Sequence, residues 1–176
     1  MKKINVVGTS GSGKTTFSRA LAQRLNVPCI EMDALFWKPG WTQSTDDEFF
    51  AKLAEALDCD TWVLDGNYSR TTAIKWKDVD TIIWVDFGFA RTMWQAVKRA
   101  VLRVRDQREL WSGSGNRENL RMLFSRDSIL LWTLKTYRVN KKRYRALIQN
   151  PQYAHLRCVR LRSPTQCQAF LAECSP

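Results

Sequence analysis

A glycine-rich segment near the N-terminus restricts what this chain can become more than any other feature. Gly8-Thr9-Ser10-Gly11-Ser12-Gly13-Lys14-Thr15 fits the pattern G-x-x-x-x-G-K-[ST] at every fixed position. It follows a short run, Ile4-Asn5-Val6-Val7, that reads as a strand. It opens a stretch in which Phe17, Leu21 and Leu25 recur at helical spacing. The spacing has a physical reason. Glycines let the backbone curl until several N–H groups point inward, and the helix that follows adds the positive end of its dipole. A lysine at position 14 then reaches β and γ phosphates, and a hydroxyl at 15 can ligate magnesium. The segment predicts binding of a nucleoside triphosphate by Gly8, Thr9, Ser10, Gly11, Ser12, Gly13, Lys14, Thr15 and Thr16.

Downstream, apolar runs alternate with helix-period stretches, the pattern of an α/β fold with a parallel sheet. Strands are expected at 4–7, 28–31, 62–64, 81–85 and 156–161. Helices are expected at about 15–25, 45–57 and 89–104, the second opened by a Thr45/Glu48 capping box. A further helical stretch covers about 117–149 and breaks near 125–128, where Ser128 suits a new cap; Leu130, Leu134 and Tyr137 are its expected core face. Ser163, Pro164 and Gln166 suit the cap, first and third positions of a last helix. No repeat or linker divides the 176 residues. One domain over 1–176 is expected, with an acceptor-side loop at about 33–57 and a lid at about 100–128.

Composition matters for where the charge lies. Between Arg91 and Arg145 stand fifteen Lys and Arg against four acidic residues, which accounts for the whole net charge of +11. Such a field attracts polyanions, nucleotides and nucleic acids alike. Five cysteines without zinc-ligand spacing, and one His, argue against a structural zinc site. Reduced thiols and a cytosolic protein are expected, either monomer or homodimer, with no membrane partner.

A phosphate-binding loop needs an acidic group near its metal. Asp65 ends the strand Trp62-Val63-Leu64 and would lie at the carboxyl end of the sheet, where ligands bind in such folds. It is expected to support magnesium together with Thr15, through water, unless it is an ordinary strand-end turn. Gly66 would allow close approach of a ligand. Asp86 also ends a strand but precedes a helix, so capping is its expected role. On the acceptor side, Asp33 could bind or deprotonate a hydroxyl, or be a surface turn residue. Phe36, Trp37 and Trp41 could stack on a ligand or form a small core of their own. Asn67 and Tyr68 are acceptor-pocket candidates by position.

Asp65-Gly66-Asn67-Tyr68-Ser69-Arg70 resembles the Asp-Gly-Phe-Pro-Arg motif of adenylate kinases, with one extra residue and no proline. With Met-Asp-Ala-Leu-Phe-Trp-Lys-Pro-Gly-Trp at 32–41, it is similar to an adenylate-kinase-like family named DNA topology modulation proteins. The resemblance spans nearly the whole chain. It implies a three-layer α/β/α P-loop NTPase, with a five-stranded parallel sheet ordered 2-3-1-4-5 and a helical basic lid. It also implies ATP as phosphoryl donor and Mg2+. By the same resemblance Arg70 would contact substrate phosphates and Arg99 would stabilise the moving phosphoryl group, beside Lys14 and Asp33. Arg103, Arg108, Arg117, Arg121 and Arg126 are further lid candidates, and Arg138 or Arg145 could reach phosphates when the lid closes. Gln95 stands where the family has a base-stacking arginine.

Three functions fit these residues. The first is a magnesium-dependent phosphotransferase acting on a nucleotide or other small acceptor. The second is a nucleotide-gated nucleic-acid binder that affects DNA topology, drawing on the basic stripe Arg138, Lys142 and Arg145. The third is a kinase of a small hydroxyl compound with Asp33 as base.

Overall fold

Alternation along two buried strands divides the molecule into layers. Ile4 and Val6 of the first strand, and Ile83 and Val85 of a later one, join one apolar cluster. Their neighbours Val7, Ile82 and Trp84 join another. A strand that is apolar on both sides must be covered on both sides. The computed structural model describes residues 1–107, 109–111, 113–118 and 128–174. Its elements run β1 (Lys3–Gly8), α1 (Lys14–Leu25), β2 (Cys29–Glu31), α2 (Met32–Phe36), β3 (Trp37–Lys38), β4 (Thr42–Gln43) and α3 (Asp46–Ala56). They continue with β5 (Trp62–Asp65), α4 (Thr72–Lys75), β6 (Thr81–Val85), α5 (Phe89–Asp106), α6 (Ile129–Ile148), β7 (Arg157–Leu161) and α7 (Pro164–Glu173).

The main sheet has five strands in the order β2-β5-β1-β6-β7, all parallel. Leaving aside the β3–β4 hairpin, these are the second, third, first, fourth and fifth strands of the sheet, as the resemblance implies. Phe17 and Leu21 of α1 and Cys167 of α7 cover one face. Phe49 and Leu53 of α3 and Tyr144 of α6 cover the other. The central strand β1 pairs with β5 through Val6 and Asp65, and with β6 through Gly8 and Val85. Three strand ends therefore meet beside the glycine-rich loop.

Local chemistry explains most element ends. Thr45 and Glu48 exchange the two hydrogen bonds of a capping box at the start of α3. Ser163 caps α7 through the Gln166 N–H, and Ser128 caps α6 through the N–H groups of Leu130 and Leu131. Two expectations need correction. Residues 117 and 118 are not helical, and α6 begins only at Ile129. Leu134 is 51% exposed. The inward face of α6 runs instead through Thr133, Tyr137 and Tyr144, four and seven residues apart, and Leu134 lies one residue off that stripe. The aromatic loop at 35–41 is the end of α2 followed by the hairpin β3–β4, which turns through Gly40 at φ 69°. No helix among the described residues is long and apolar enough to cross a membrane.

Candidate active site

The glycine-rich loop leaves β1 at Gly8 and enters α1 at Lys14. Its first turn closes when the Ser12 N–H donates to the Thr9 carbonyl at 3.0 Å. Gly11 lies in the left-handed region at φ 81°, and a Cβ there would stand 2.8 Å from both the Ala96 Cβ and the Thr92 carbonyl oxygen. Glycine is thus required twice over, by conformation and by the helix α5 packed on the loop. Gly13 occupies the cap position of α1 without a side-chain cap, and no acidic residue follows in the first turn. The leading N–H groups of α1 keep their partial positive charge for an incoming anion.

Beside the loop, Asp65 ends β5 in a buried position. The Thr15 hydroxyl donates to its Oδ2 at 2.5 Å, and Lys14 Nζ stands 4.0 Å from its Oδ1. That Oδ1 is buried and has no hydrogen-bond partner. Burial pushes the Asp65 carboxyl above the usual carboxylate range, opposed by the Lys14 charge and the Thr15 hydrogen bond. A hydroxyl and a carboxylate with one unmet oxygen are hard ligands of the kind magnesium takes. Among the described residues no group of three or more His, Cys, Asp or Glu could hold a metal alone. A magnesium ion here would complete its shell with phosphate oxygens and water, as such ions do in phosphoryl-transfer sites.

A cavity of about 640 Å³ opens on the loop, with Ser10, Lys14 and Thr15 on one wall and Asp33, Trp37 and Trp41 on another. Asp33 lies in the first turn of α2, and its Oδ1 accepts from the Tyr68 hydroxyl at 2.7 Å. Burial, then the Asp33 charge, push the Tyr68 phenol far above its ordinary range, so it stays a donor. Trp41 packs edge-on against Trp37 at 5.6 Å and against Trp111 at 6.0 Å. Its backbone sits at φ 59°, a conformation costly for a bulky residue, on the order of 1–3 kcal/mol. Asn116, in the loop after α5, holds it there. The Asn116 Oδ1 accepts from the Trp41 N–H at 2.9 Å, and its Nδ2 donates to the Lys38 carbonyl at 3.0 Å. Above the loop, α5 carries Arg99, whose Nη2 donates to the Ser10 hydroxyl at 3.2 Å. Burial and then Arg103 lower the Arg99 pKa from its ordinary value. Arg103 also lines the cavity but is paired with Glu118 at 2.7 Å.

No protein-family model and no curated protein matches this sequence. Solved structures do resemble it. A shikimate kinase from Acinetobacter baumannii in complex with shikimate is 14% identical, with 98% of this chain and 90% of that one covered at a TM-score of 0.59. A sugar kinase from Janibacter sp. HTCC2649 is 16% identical over 98% and 93% of the two chains, at 0.54. A gluconokinase from Sinorhizobium meliloti 1021 is 19% identical over 97% and 91%, at 0.51. The chain has a P-loop kinase fold.

Within that fold the residues singled out from sequence separate into two groups. Lys14, Thr15, Thr16, Asp33, Trp37, Trp41, Arg99 and Arg103 line one cavity with the loop. Arg70 is not among them. It pairs with Asp46 at 3.1 Å and lies over the Phe36 ring at 4.9 Å. Arg138 and Arg145 line a separate, shallow cavity on α6, away from the loop. Arg117 contributes its carbonyl to the Trp41 indole N–H. Arg108, Arg121 and Arg126 lie outside the described residues. Gly66 is close-packed for a different reason than ligand approach, because a Cβ there would stand 2.4 Å from the Met32 sulfur. Asp86 caps nothing. Gly88 is the cap residue of α5, and the Asp86 carboxylate is held by Arg160 and Lys141. Asn67 is not among the residues lining that cavity and instead bonds the backbone of Gly8. Asn116, Trp111 and the Arg19–Glu31 pair on the cavity wall escaped sequence reading. Of these only Trp111 carries a signal, a large apolar residue inside an otherwise polar, glycine-containing loop.

Proposed function

We propose that this chain is an ATP-dependent, magnesium-requiring kinase of a small hydroxyl compound. The observation that carries the reading is the shared cavity. Asp33 faces into the space that the phosphate loop also lines, with tryptophans beside it and Arg99 above the loop. The acceptor wall favours a hydroxyl compound over a nucleoside monophosphate. Asp33 and Glu31 stand on it, and the arginines near them, Arg19 and Arg103, are already paired with Glu31 and Glu118. Arg70, the residue a nucleotide phosphate would need by family resemblance, is engaged with Asp46 instead.

In this reading the triphosphate lies on the N–H groups of the loop, with Lys14 at its β and γ phosphates. Thr15 and Asp65 would hold the magnesium ion, which supplies charge neutralisation across those phosphates. Asp33 orients the acceptor hydroxyl and takes its proton as the oxygen attacks the γ phosphorus and the bond to the β-phosphate oxygen breaks. Arg99 stabilises the charge on the transferring group, and closure of the lid excludes water. A coupled assay of ADP release with hexoses, gluconate, shikimate and AMP tests this. Phosphorylation of a hydroxyl compound is expected, with Asp33→Asn lowering turnover by about 10²–10⁴-fold, the range of a general base. Arg70→Ala should leave that turnover within about threefold, as a surface ion pair implies. Phosphorylation of AMP with the opposite order of effects overturns the acceptor class, and phosphorylation of nothing overturns the kinase.

A second reading, binding of a polyanion along α6, is favoured by Arg138, Lys142 and Arg145 lining one shallow cavity outside the site. Binding of duplex DNA that weakens steeply with added salt would support it, and no binding at low salt would end it.

A further inference from the structure

The strand pairing between β1 and β5 stops one rung short of the loop. The Gly66 N–H still donates to the Val6 carbonyl at 3.3 Å. In a parallel ladder the next rung would take both the N–H and the C=O of Gly8. By then the chain has turned away at Asn67. Its side-chain amide supplies the rung instead. The Gly8 N–H donates to the Asn67 Oδ1 at 3.0 Å, and the Asn67 Nδ2 donates to the Gly8 carbonyl. A carboxamide presents a donor and an acceptor in one plane, as a peptide does.

The amide is itself oriented from α6. The Tyr144 hydroxyl donates to the same Oδ1 at 2.7 Å. Arg143 Nη2 donates to the Tyr144 oxygen at 2.7 Å and to the Asn67 carbonyl at 3.4 Å. With Oδ1 accepting twice and Nδ2 donating, only one of the two flipped forms of the amide satisfies the set. Tyr144 is 3% exposed, and burial pushes its phenol up to about 12, so it remains a donor across the neutral range. Position alone had marked Asn67 for the acceptor. Its bonds point to the first residue of the phosphate loop.

We propose that Asn67, oriented by Tyr144 and Arg143, is a positioning residue that fixes the entry of the phosphate loop and so sets its affinity for the triphosphate. The proposal rests on the reading of that loop as the nucleotide site. It makes α6 a determinant of nucleotide affinity without contact to the nucleotide. Replacing the amide by side chains of similar size separates this role from simple packing. Asn67→Asp, as a carboxylate, keeps an acceptor for the Gly8 N–H and the Tyr144 hydroxyl but has no donor for the Gly8 carbonyl, and Asn67→Leu has neither.

The test is calorimetric titration of MgATP into the full chain at one pH, with hydrogen exchange at residues 8–14 and 37–43 read beside it. Asn67→Leu should bind about tenfold or more weakly, a loss of one or two buried hydrogen bonds, and Asn67→Asp should also bind more weakly. Tyr144→Phe leaves the amide in place, removes one hydroxyl from a buried ring and should weaken binding about three- to tenfold, with faster exchange at 8–14 and unchanged exchange at 37–43. It decides the matter should the Asn67 variants fail to fold. Unaltered MgATP affinity in Tyr144→Phe overturns the relay alone. Absence of MgATP binding in the unaltered protein overturns the nucleotide site and the relay with it.

Discussion

The two walls of the cavity are held in different ways. The phosphate loop is braced by the sheet and by helices that pack on it. Asn67 completes its ladder, Asp65 accepts from Thr15, and α5 closes on Gly11. The acceptor wall is tied mainly by side chains, among them the Lys38–Glu48 ion pair at 2.6 Å, the Tyr68–Asp33 hydrogen bond and Asn116. Asn116 joins the hairpin β3–β4 to the loop after α5, and Trp41 stays in a left-handed conformation held by that clasp and by its indole N–H bond to Arg117. A wall built from the sheet is fixed before any ligand arrives. A wall built from a hairpin and a loop can yield when the clasp opens, and the energy stored at Trp41 favours that opening. Preorganisation therefore belongs to the phosphate side and adaptation to the acceptor side.

The sharpest way to break this contrast is Lys14→Ala. It should weaken MgATP binding by about 100-fold or more, since a charge-assisted contact to phosphate is lost at a fixed wall. Hydrogen exchange at residues 37–43 should stay as it was. Asn116→Ala should do the reverse. Exchange at 37–43 and 109–111 should accelerate as a local bond network worth about 1–3 kcal/mol is lost, with MgATP affinity nearly unchanged. Matching losses of affinity in both variants would show that the walls are not independent.

The turn between the walls offers a pH probe. Lys75 is 2% exposed and donates to the Tyr68 carbonyl at 3.1 Å. Burial, then the neighbouring Arg143, lower its pKa from 10.5 to about 7. The folded state therefore holds fewer protons than the unfolded one between about pH 7 and 10.5. Stability should rise with pH across that window, by up to about 1.4 kcal/mol per pH unit, and the cost should be fully present below it. Denaturant melts of Lys75→Met should lose that slope. The smallest effect is expected for Thr45→Ala on α3, about 1 kcal/mol in the same melts from loss of the capping box, with both walls unaffected.

The phosphate side was the more legible in the sequence, for a physical reason. Its loop is contiguous, and its glycines, lysine and hydroxyl must stand at fixed spacing. Strand-end residues such as Asp65 follow from the same logic. Capping residues Thr45, Ser128 and Ser163 were readable because a cap bonds within its own first turn. The order of the sheet came from resemblance, since pairing among distant strands leaves no local trace. Side-chain amides that reach across the fold leave none either. Asn67 bonds a residue 59 positions away and Asn116 one 75 positions away. Arg70 lies outside the cavity because a motif fixes a residue's place along the chain, whereas its partner is set by which surface α3 offers. There it meets Asp46 and an aromatic cluster.

The central place of β1 has a consequence for how the molecule is made. The first strand of this sheet in chain order is the one that needs neighbours on both sides. Until residues 62–65 and 81–85 have emerged, it has no partner within this sheet, and the loop after it has neither Asp65 nor Asn67. Tyr144, which orients Asn67, arrives later still. The glycine loop is synthesised before the residues that shape it and takes its shape only after they have emerged. Its assembly depends on contacts between distant parts of the chain, which form slowly and late.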